Sequence, residues 1–331
     1  MNKEIDFDKI EFQDPFIKYI ENQDYVPLED YSKFLTNYKL LRLDAKFLPF
    51  HITKGCLTER DINKLIDLLI SKNKTLKYLN LSNCKNIKHL TIIKLKNFKN
   101  LVGLNLHNTL HFGRGGTLTR AIPGEAMEWR ILTHLADIKL EYLDISNNNM
   151  INKPIPITNI SSLEILSMEN CKFVYNPDMP YSKLSNLREL DLSGNELTIF
   201  EITEISKLKK LKLLYCNNII FKSNSWIHDN LTWEQYFYFL IDNVIKIKTL
   251  EYLDISIENV PYDDYVLDYI GKYNDLIFQK IQEMLNNLKK LKKLRSVFYS
   301  RYRPKELKIN GVNVIVNEEI YYSLFNKYNL Y

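Results

Sequence analysis

Between residues 76 and 260 the chain repeats one order of apolar and polar positions. An apolar residue and two variable ones are followed by apolar, polar, apolar, two mostly polar residues and, most often, a closing Asn, Cys or Thr. The copies run Leu76–Cys84, Leu101–Thr109, Leu140–Asn148, Leu163–Cys171, Leu187–Asn195, Leu208–Cys216 and Leu250–Glu258. In each, the fourth and sixth residues are apolar and the fifth is usually polar, as in Leu143-Asp144-Ile145 and Leu190-Asp191-Leu192. Alternation of that kind predicts a short strand with one buried face. One such strand buries little alone, so stacked copies must share a continuous Leu/Ile/Met core under a parallel sheet. Burying each of those side chains contributes roughly 1.5–3 kcal/mol, enough in sum to oppose chain entropy. The ninth position turns the chain and strands backbone groups inside the coil. An Asn there donates and accepts, and a Cys is a smaller, weaker substitute.

Copies follow one another at 25, 23, 24 and 21 residues, with two longer intervals of 39 and 42. The first long interval holds an insertion over 110–130, with Arg114, Arg120, Trp129 and Arg130 as candidate loop contacts, or else a copy that has lost its phrase. The second, over 217–249, reads as a helix carrying Tyr236, Phe239, Leu240, Asn243, Val244 and Ile247 behind a capping box at Thr232–Gln235. The pattern frays at both ends. Leu41-Arg42-Leu43 suggests an opening strand, and Phe47–Ile52 with Cys56 a degenerate copy. A helix then carries Ile62, Leu65, Ile66 and Leu69 behind Thr58–Asp61. Downstream, 262–288 reads as helical, Leu291–Leu294 and Pro304–Ile309 as weak last copies, and 318–331 as a helical lid.

The phrase L-x-x-L-x-L-x-x-N/C resembles that of the leucine-rich-repeat family, intracellular type. The resemblance implies an α/β solenoid: a horseshoe with a parallel concave sheet and a helical or irregular convex side. It divides the chain into a flanking region over 1–46, an array over 47–260, and a helical, basic C-terminal region with last repeats and cap over 261–331. It also implies a non-enzymatic scaffold that binds a protein on the concave face. Two alternatives stand beside that reading. One is a substrate-recognition adaptor of a ubiquitin ligase, because Pro27-Leu28-Glu29, Phe34 and Leu40-Leu41 faintly echo the F-box some relatives carry. The other is nucleic-acid binding through the basic C-terminal segment, with Tyr299 and Tyr302 available for stacking.

Charge bears on the partner. The net +5 hides an asymmetry, with nine acids against three lysines over 1–30 and ten bases against two acids over 280–310. On the expected concave face, positions three, five, seven and eight of the central copies are acidic on balance. Tyr142, Asp144, Glu169, Glu189 and Asp191 are therefore the candidate partner-binding residues, suited to a protein with a basic face. The competing reading is that Asp at the fifth and Ser at the seventh position serve the repeat itself, which leaves Glu169 and Glu189 carrying the hypothesis.

No apolar run approaches the 18 or so residues of a membrane span, and the charged opening Met1–Asp8 suggests no secretory leader, so an intracellular, cytoplasmic location is expected. The four cysteines are spread along the repeats without a C-x-x-C pair, Cys84, Cys171 and Cys216 each at a ninth position, which points to packing rather than metal. His107 and His111 lack a third ligand at helical spacing. Gly113–Thr117 does not meet the phosphate-loop spacing, nor Ser193 that of a nucleophile elbow. No catalytic, metal or cofactor site is expected.

Overall fold

A computed structural model describes residues 40–42, 59–72, 75–84, 87, 89–109, 132–148, 155–171, 179–219, 233–256, 277–296, 304–316, 321–322 and 324. The chain divides into two compact units, 1–177 and 178–331.

The first unit holds five short strands in chain order: β1 (Leu40–Arg42), β2 (Tyr78–Asn80), β3 (Gly103–Asn105), β4 (Tyr142–Asp144) and β5 (Ile165–Ser167). All pair in parallel, with Leu41, Leu79, Leu104, Leu143 and Leu166 in one row. Positions one, four and six of the phrase point inward. Leu76, Leu79 and Leu81, and their equivalents through Leu163, Leu166 and Met168, are all buried. On the return path lie α1 (Glu59–Lys72), α2 (His89–Leu95) and 3-10 turns over 132–137 and Ile155–Asn159. The helix α1 buries the expected Ile62, Ile66 and Leu69. Its Asn63 Oδ1 accepts from Thr91 Oγ1 of α2 at 2.8 Å.

The second unit begins with β6 (Glu189–Asp191), β7 (Leu213–Tyr215), β8 (Tyr252–Asp254) and β9 (Lys293–Ser296), again parallel and in chain order. Between them run α3 (Ile199–Ile205), α4 (Trp233–Val244) and α5 (277–287). Thr198 and Glu201 close α3 with a reciprocal capping box. The helix α4 buries Tyr236, Phe237, Leu240, Ile241 and Val244, close to the expected face.

Two expectations change, and two others fall on residues that are not described. The copy assigned to Leu208–Cys216 sits three residues further on. Leu213 pairs with Glu189, Leu214 with Leu190 and Tyr215 with Asp191, so the phrase is Leu211–Ile219. Its spacing from the preceding copy becomes 24 residues and to the next 39, and Cys216 takes the inward sixth position. The reason is backbone chirality. The eighth residue is left-handed in each copy where it is described: Asn83 (φ 62°), Asn108 (49°), Asn147 (55°), Asn170 (52°), Gly194 (69°) and Asn218 (52°). Asn and Gly tolerate that conformation, whereas the expected register would force Tyr215 into it.

Second, β1 pairs directly with β2; the degenerate copy expected at Phe47–Ile52 lies outside the described residues. Third, β3 likewise pairs directly with β4; the insertion expected over 110–130 lies outside the described residues. Fourth, Leu291–Leu294 is a true copy, but Pro304–Ile309 is not. It supplies β10 (Lys305–Ile309), the outer strand of an antiparallel hairpin with β11 (Val312–Val316), and β11 is the strand that pairs with β9. The connecting Asn310 and Gly311 both have positive φ, as a tight Asn-Gly hairpin turn requires. Of the expected C-terminal lid, Tyr321, Tyr322 and Leu324 are described and helical.

Candidate functional site

In the first unit the ladder continues past the strands. Leu81 N–H donates to Asn105 O, Asn83 N–H to His107 O, Leu106 N–H to Asp144 O and Asn108 N–H to Ser146 O, all within 2.7–2.9 Å. Two side-chain devices hold the coil at this bend. The fifth residue caps the seventh: Asn80, Asn105, Asp144, Asp191 and Asp254 each accept, through Oδ1, the backbone N–H two residues on, at 2.8–3.0 Å. The ninth residue satisfies the inside. Asn148 Nδ2 donates to Leu106 O (2.9 Å) and Ile145 O (2.6 Å), and its Oδ1 accepts from Thr109 N–H (2.8 Å). Cys171 fills the same place with a thiol 3.2 Å from Ile145 O.

These contacts recast part of the expected acidic strip. Tyr142 (7% exposed) and Asp144 (8%) are buried rather than open on the sheet face, as are Ser146 and Ser193. Strands stand about 4.8 Å apart, so side chains of neighbouring strands shield one another. The carboxylates of Asp144 and Asp191 also cap their own turns. Glu169, Glu189 and Asp191 are half-buried. Tyr142, Asp144 and Glu169 fall in the first unit, Glu189 and Asp191 in the second. Arg114, Arg120, Trp129 and Arg130 lie outside the described residues, as do Cys56, His111, Tyr299, Tyr302 and the F-box-like Pro27, Leu28, Glu29 and Phe34.

In the first unit the seventh positions are Ser82, His107, Ser146 and Glu169. His107 Nδ1 is 2.8 Å from Ser146 Oγ, whose own proton goes to Asp144 Oδ1. His107 Nδ1 is therefore the donor in that pair, which leaves Nε2 as the ring's acceptor while the imidazole is neutral. Among the described residues no group of three or more His, Cys, Asp or Glu is placed to hold a metal ion. Cys84, Cys171 and Cys216 are buried thiols outside any disulfide, and burial pushes the Cys216 thiol well up, with Asp191 and Asp254 adding to it.

The second unit presents the more structured surface. Register aligns Glu189, Leu213, Tyr252 and Lys293 in the row of third positions, and Asp191, Tyr215, Asp254 and Arg295 in the row of fifth positions. Tyr215 and Tyr252 meet with ring centroids 4.8 Å apart at 38°. Lys293 Nζ lies 5.7 Å from the Tyr252 ring centre, within cation–π range, and Arg295 Nε is 3.7 Å from Asp254 Oδ2. Burial, and secondarily Asp254, pushes the Tyr252 phenol up to about 12. Burial, and secondarily Glu189, raises that of Tyr215. Both phenols thus stay protonated at neutral pH and can donate. In the second positions beside this face, Glu251 bridges Lys212 (2.8 Å) and Lys292 (2.5 Å).

Sequence reasoning missed the Tyr215–Tyr252 pair and its flanking charges. The register three residues out at β7 puts Tyr215 at an eighth position, and β9 reads from sequence only as a weak last copy. The signal was present in Asn217-Asn218, which matches the Ser-Asn and His-Asn of earlier copies.

The family model for Leucine Rich Repeat matches residues 139–160 and 186–208. Receptor-like protein EIX1 of Solanum lycopersicum is 28% identical over 119 residues, which is 35% of this chain and 10% of that protein. The chain thus spans about a tenth of the length of that curated relative. Among solved structures, an LRR protein of Leptospira interrogans is 20% identical over 83% of this chain and 54% of its own, with a TM-score of 0.44. An internalin from Listeria monocytogenes is 17% identical over 86% of this chain and 85% of its own, at 0.35.

Proposed function

From a chain built of leucine-rich repeats, we propose a protein-binding module whose partner docks on the exposed face of the parallel sheet, with no catalytic step of its own. The observation that carries the proposal is the Tyr215–Tyr252 pair, held half-buried at sheet positions whose inward neighbours already fill the core. The two rings stabilise one another as a cross-strand aromatic pair. They also offer rigid apolar area with a hydroxyl donor at the tip, the combination enriched at protein interfaces.

The charges of the C-terminal basic segment favour this reading over nucleic acid. Lys280 is held by Asp242 and Glu283, each at 2.7 Å, and Lys292 by Glu251. Partnered bases are poor phosphate contacts. The buried thiols outside any disulfide suit the reducing intracellular compartment that completes the proposal.

The test is affinity capture from the native cell with quantitative mass spectrometry, comparing wild type with Tyr215→Ala/Tyr252→Ala checked for folding by circular dichroism. A protein recovered by wild type should be lost with the folded variant. Undiminished recovery would overturn the assignment to this face. Glu169→Lys, run in parallel, asks the same of the first unit.

A further inference from the structure

The face of the second unit is sorted by charge along its strands. Its first strand, β6, is acidic at both outward positions (Glu189, Asp191), and its fourth, β9, is basic at both (Lys293, Arg295). Between them stand Leu213, Tyr215, Tyr252 and the buried Asp254. Strands about 4.8 Å apart put β6 and β9 roughly 14 Å apart. An extended peptide advances about 3.3–3.4 Å per residue with alternate side chains on one side, so residues i and i+4 lie roughly 13.5 Å apart, and residue i+2 falls midway. That midpoint is the Tyr215–Tyr252 pair.

We propose that this face takes an extended peptide segment of a partner protein, crossing the strands, with a basic and an acidic residue four positions apart and an aromatic or apolar residue between. The Lys or Arg sits at Glu189 and Asp191, the central residue stacks on the two tyrosines, and the Asp or Glu reaches Lys293 and Arg295. The idea rests on the protein-binding reading above and narrows it to a chemistry. A second observation supports it at the acidic end. Ser193 Oγ, in a residue only 2% exposed, has no hydrogen-bond partner. The equivalent Ser256 Oγ donates to Asp254 Oδ1 at 2.7 Å. Unlike Asp254, which serves Ser256, Asp191 thus gives no acceptor position to its own seventh-position hydroxyl, which suits it to an incoming side-chain cation. Nucleic acid does not fit, since its phosphates would meet Glu189 and Asp191 at one end.

The full chain is titrated by fluorescence anisotropy at low salt against labelled peptides centred on Arg-Gly-Tyr-Gly-Glu. Comparison peptides carry the same residues with the charges two apart, or Arg at both ends, or Glu at both ends. Wild type should prefer the mixed peptide at four-residue spacing by about fivefold over each of the others, the scale of one lost partly exposed charge pair. Lys293→Glu should shift the preference to the Arg-ended peptide, and Glu189→Lys to the Glu-ended one. These are gains of binding that an unfolded variant cannot give. Equal binding of the two spacings by wild type, or no switch in either variant, would overturn the proposal. Such a result, together with partner capture that still depends on Tyr215 and Tyr252, would refute the peptide chemistry while leaving the protein-binding reading intact.

Discussion

Replacing Asn148 by Ala removes one side chain that serves three buried backbone groups. Its Nδ2 satisfies Leu106 O and Ile145 O, and its Oδ1 satisfies Thr109 N–H. The residue is fully buried, so water does not replace it without opening the coil. Each buried polar group left alone costs about 1–3 kcal/mol. With partial relaxation, Asn148→Ala should destabilise by about 3–5 kcal/mol, a large share of a typical domain's stability. Asn148→Cys copies what the chain does at Cys171, where the thiol donates to Ile145 O at 3.2 Å in place of the two carbonyls that Asn148 Nδ2 serves. Its cost should be smaller, about 2–3 kcal/mol. Asn148→Asp keeps the acceptor for Thr109 but sets a carboxylate against two carbonyl oxygens, and should cost at least as much as Ala. Urea unfolding followed by far-ultraviolet circular dichroism measures all three, with the midpoint read at constant slope. An alanine cost under about 1 kcal/mol, or a cysteine no better than alanine, would refute the view that the ninth position works by hydrogen bonding.

Leu214→Ala should cost about 2–5 kcal/mol and Leu213→Ala under about 1 kcal/mol in the same urea experiment, since Leu214 is fully buried and Leu213 half-buried; the reverse order would favour the Leu208–Cys216 register. Asn147→Val should lose about 1–2 kcal/mol because its φ of 55° is left-handed, while Asn147→Gly stays within about 0.5 kcal/mol, both read as shifts in urea midpoint. Hydrogen bonds from Lys212 and then Lys292 hold the Glu251 carboxyl below its ordinary value against the opposing effect of burial. A depressed folded value gives stability that is present above the unfolded pKa and lost as pH falls through the folded one. Glu251→Gln should therefore flatten the fall in urea midpoint on the acid side of pH 4.5, and an unchanged slope would show the bridge to be silent.

How much of the fold the sequence displays depends on which physical constraint a residue serves. The inward leucines are legible because burial demands an apolar side chain every time, and a period of two follows directly. The ninth-position Asn and Cys are legible because their chemistry is scarce inside a core. The eighth position is the subtler one. It asks only for a left-handed backbone, which polar Asn meets without looking apolar or special, and so it reads as part of an exposed strip. At β7 the leucines at 208, 211 and 214 satisfy the apolar rule in two registers, and only the left-handed residue decides between them. The hairpin at Asn310-Gly311 carries the same local chirality signal, overshadowed by the search for one more leucine phrase.

The candidate face was less legible than the fold, and for a different reason. Repeat phrases specify inward positions, so outward ones inherit the register but not the meaning. Asp144 and Asp191 read as an acidic surface, yet both cap the amide two residues on, and a carboxylate there needs no partner to explain it. Glu189 and Lys293 stand at third positions, which do not share that capping duty. They acquire significance only when β6, β7, β8 and β9 are laid in register, which places residues more than 100 positions apart at the two ends of one aromatic pair. Outward residues that the coil does not require are therefore where specificity should be sought in this chain. By that criterion Glu189, Tyr215, Tyr252 and Lys293 outrank Tyr142 and Asp144.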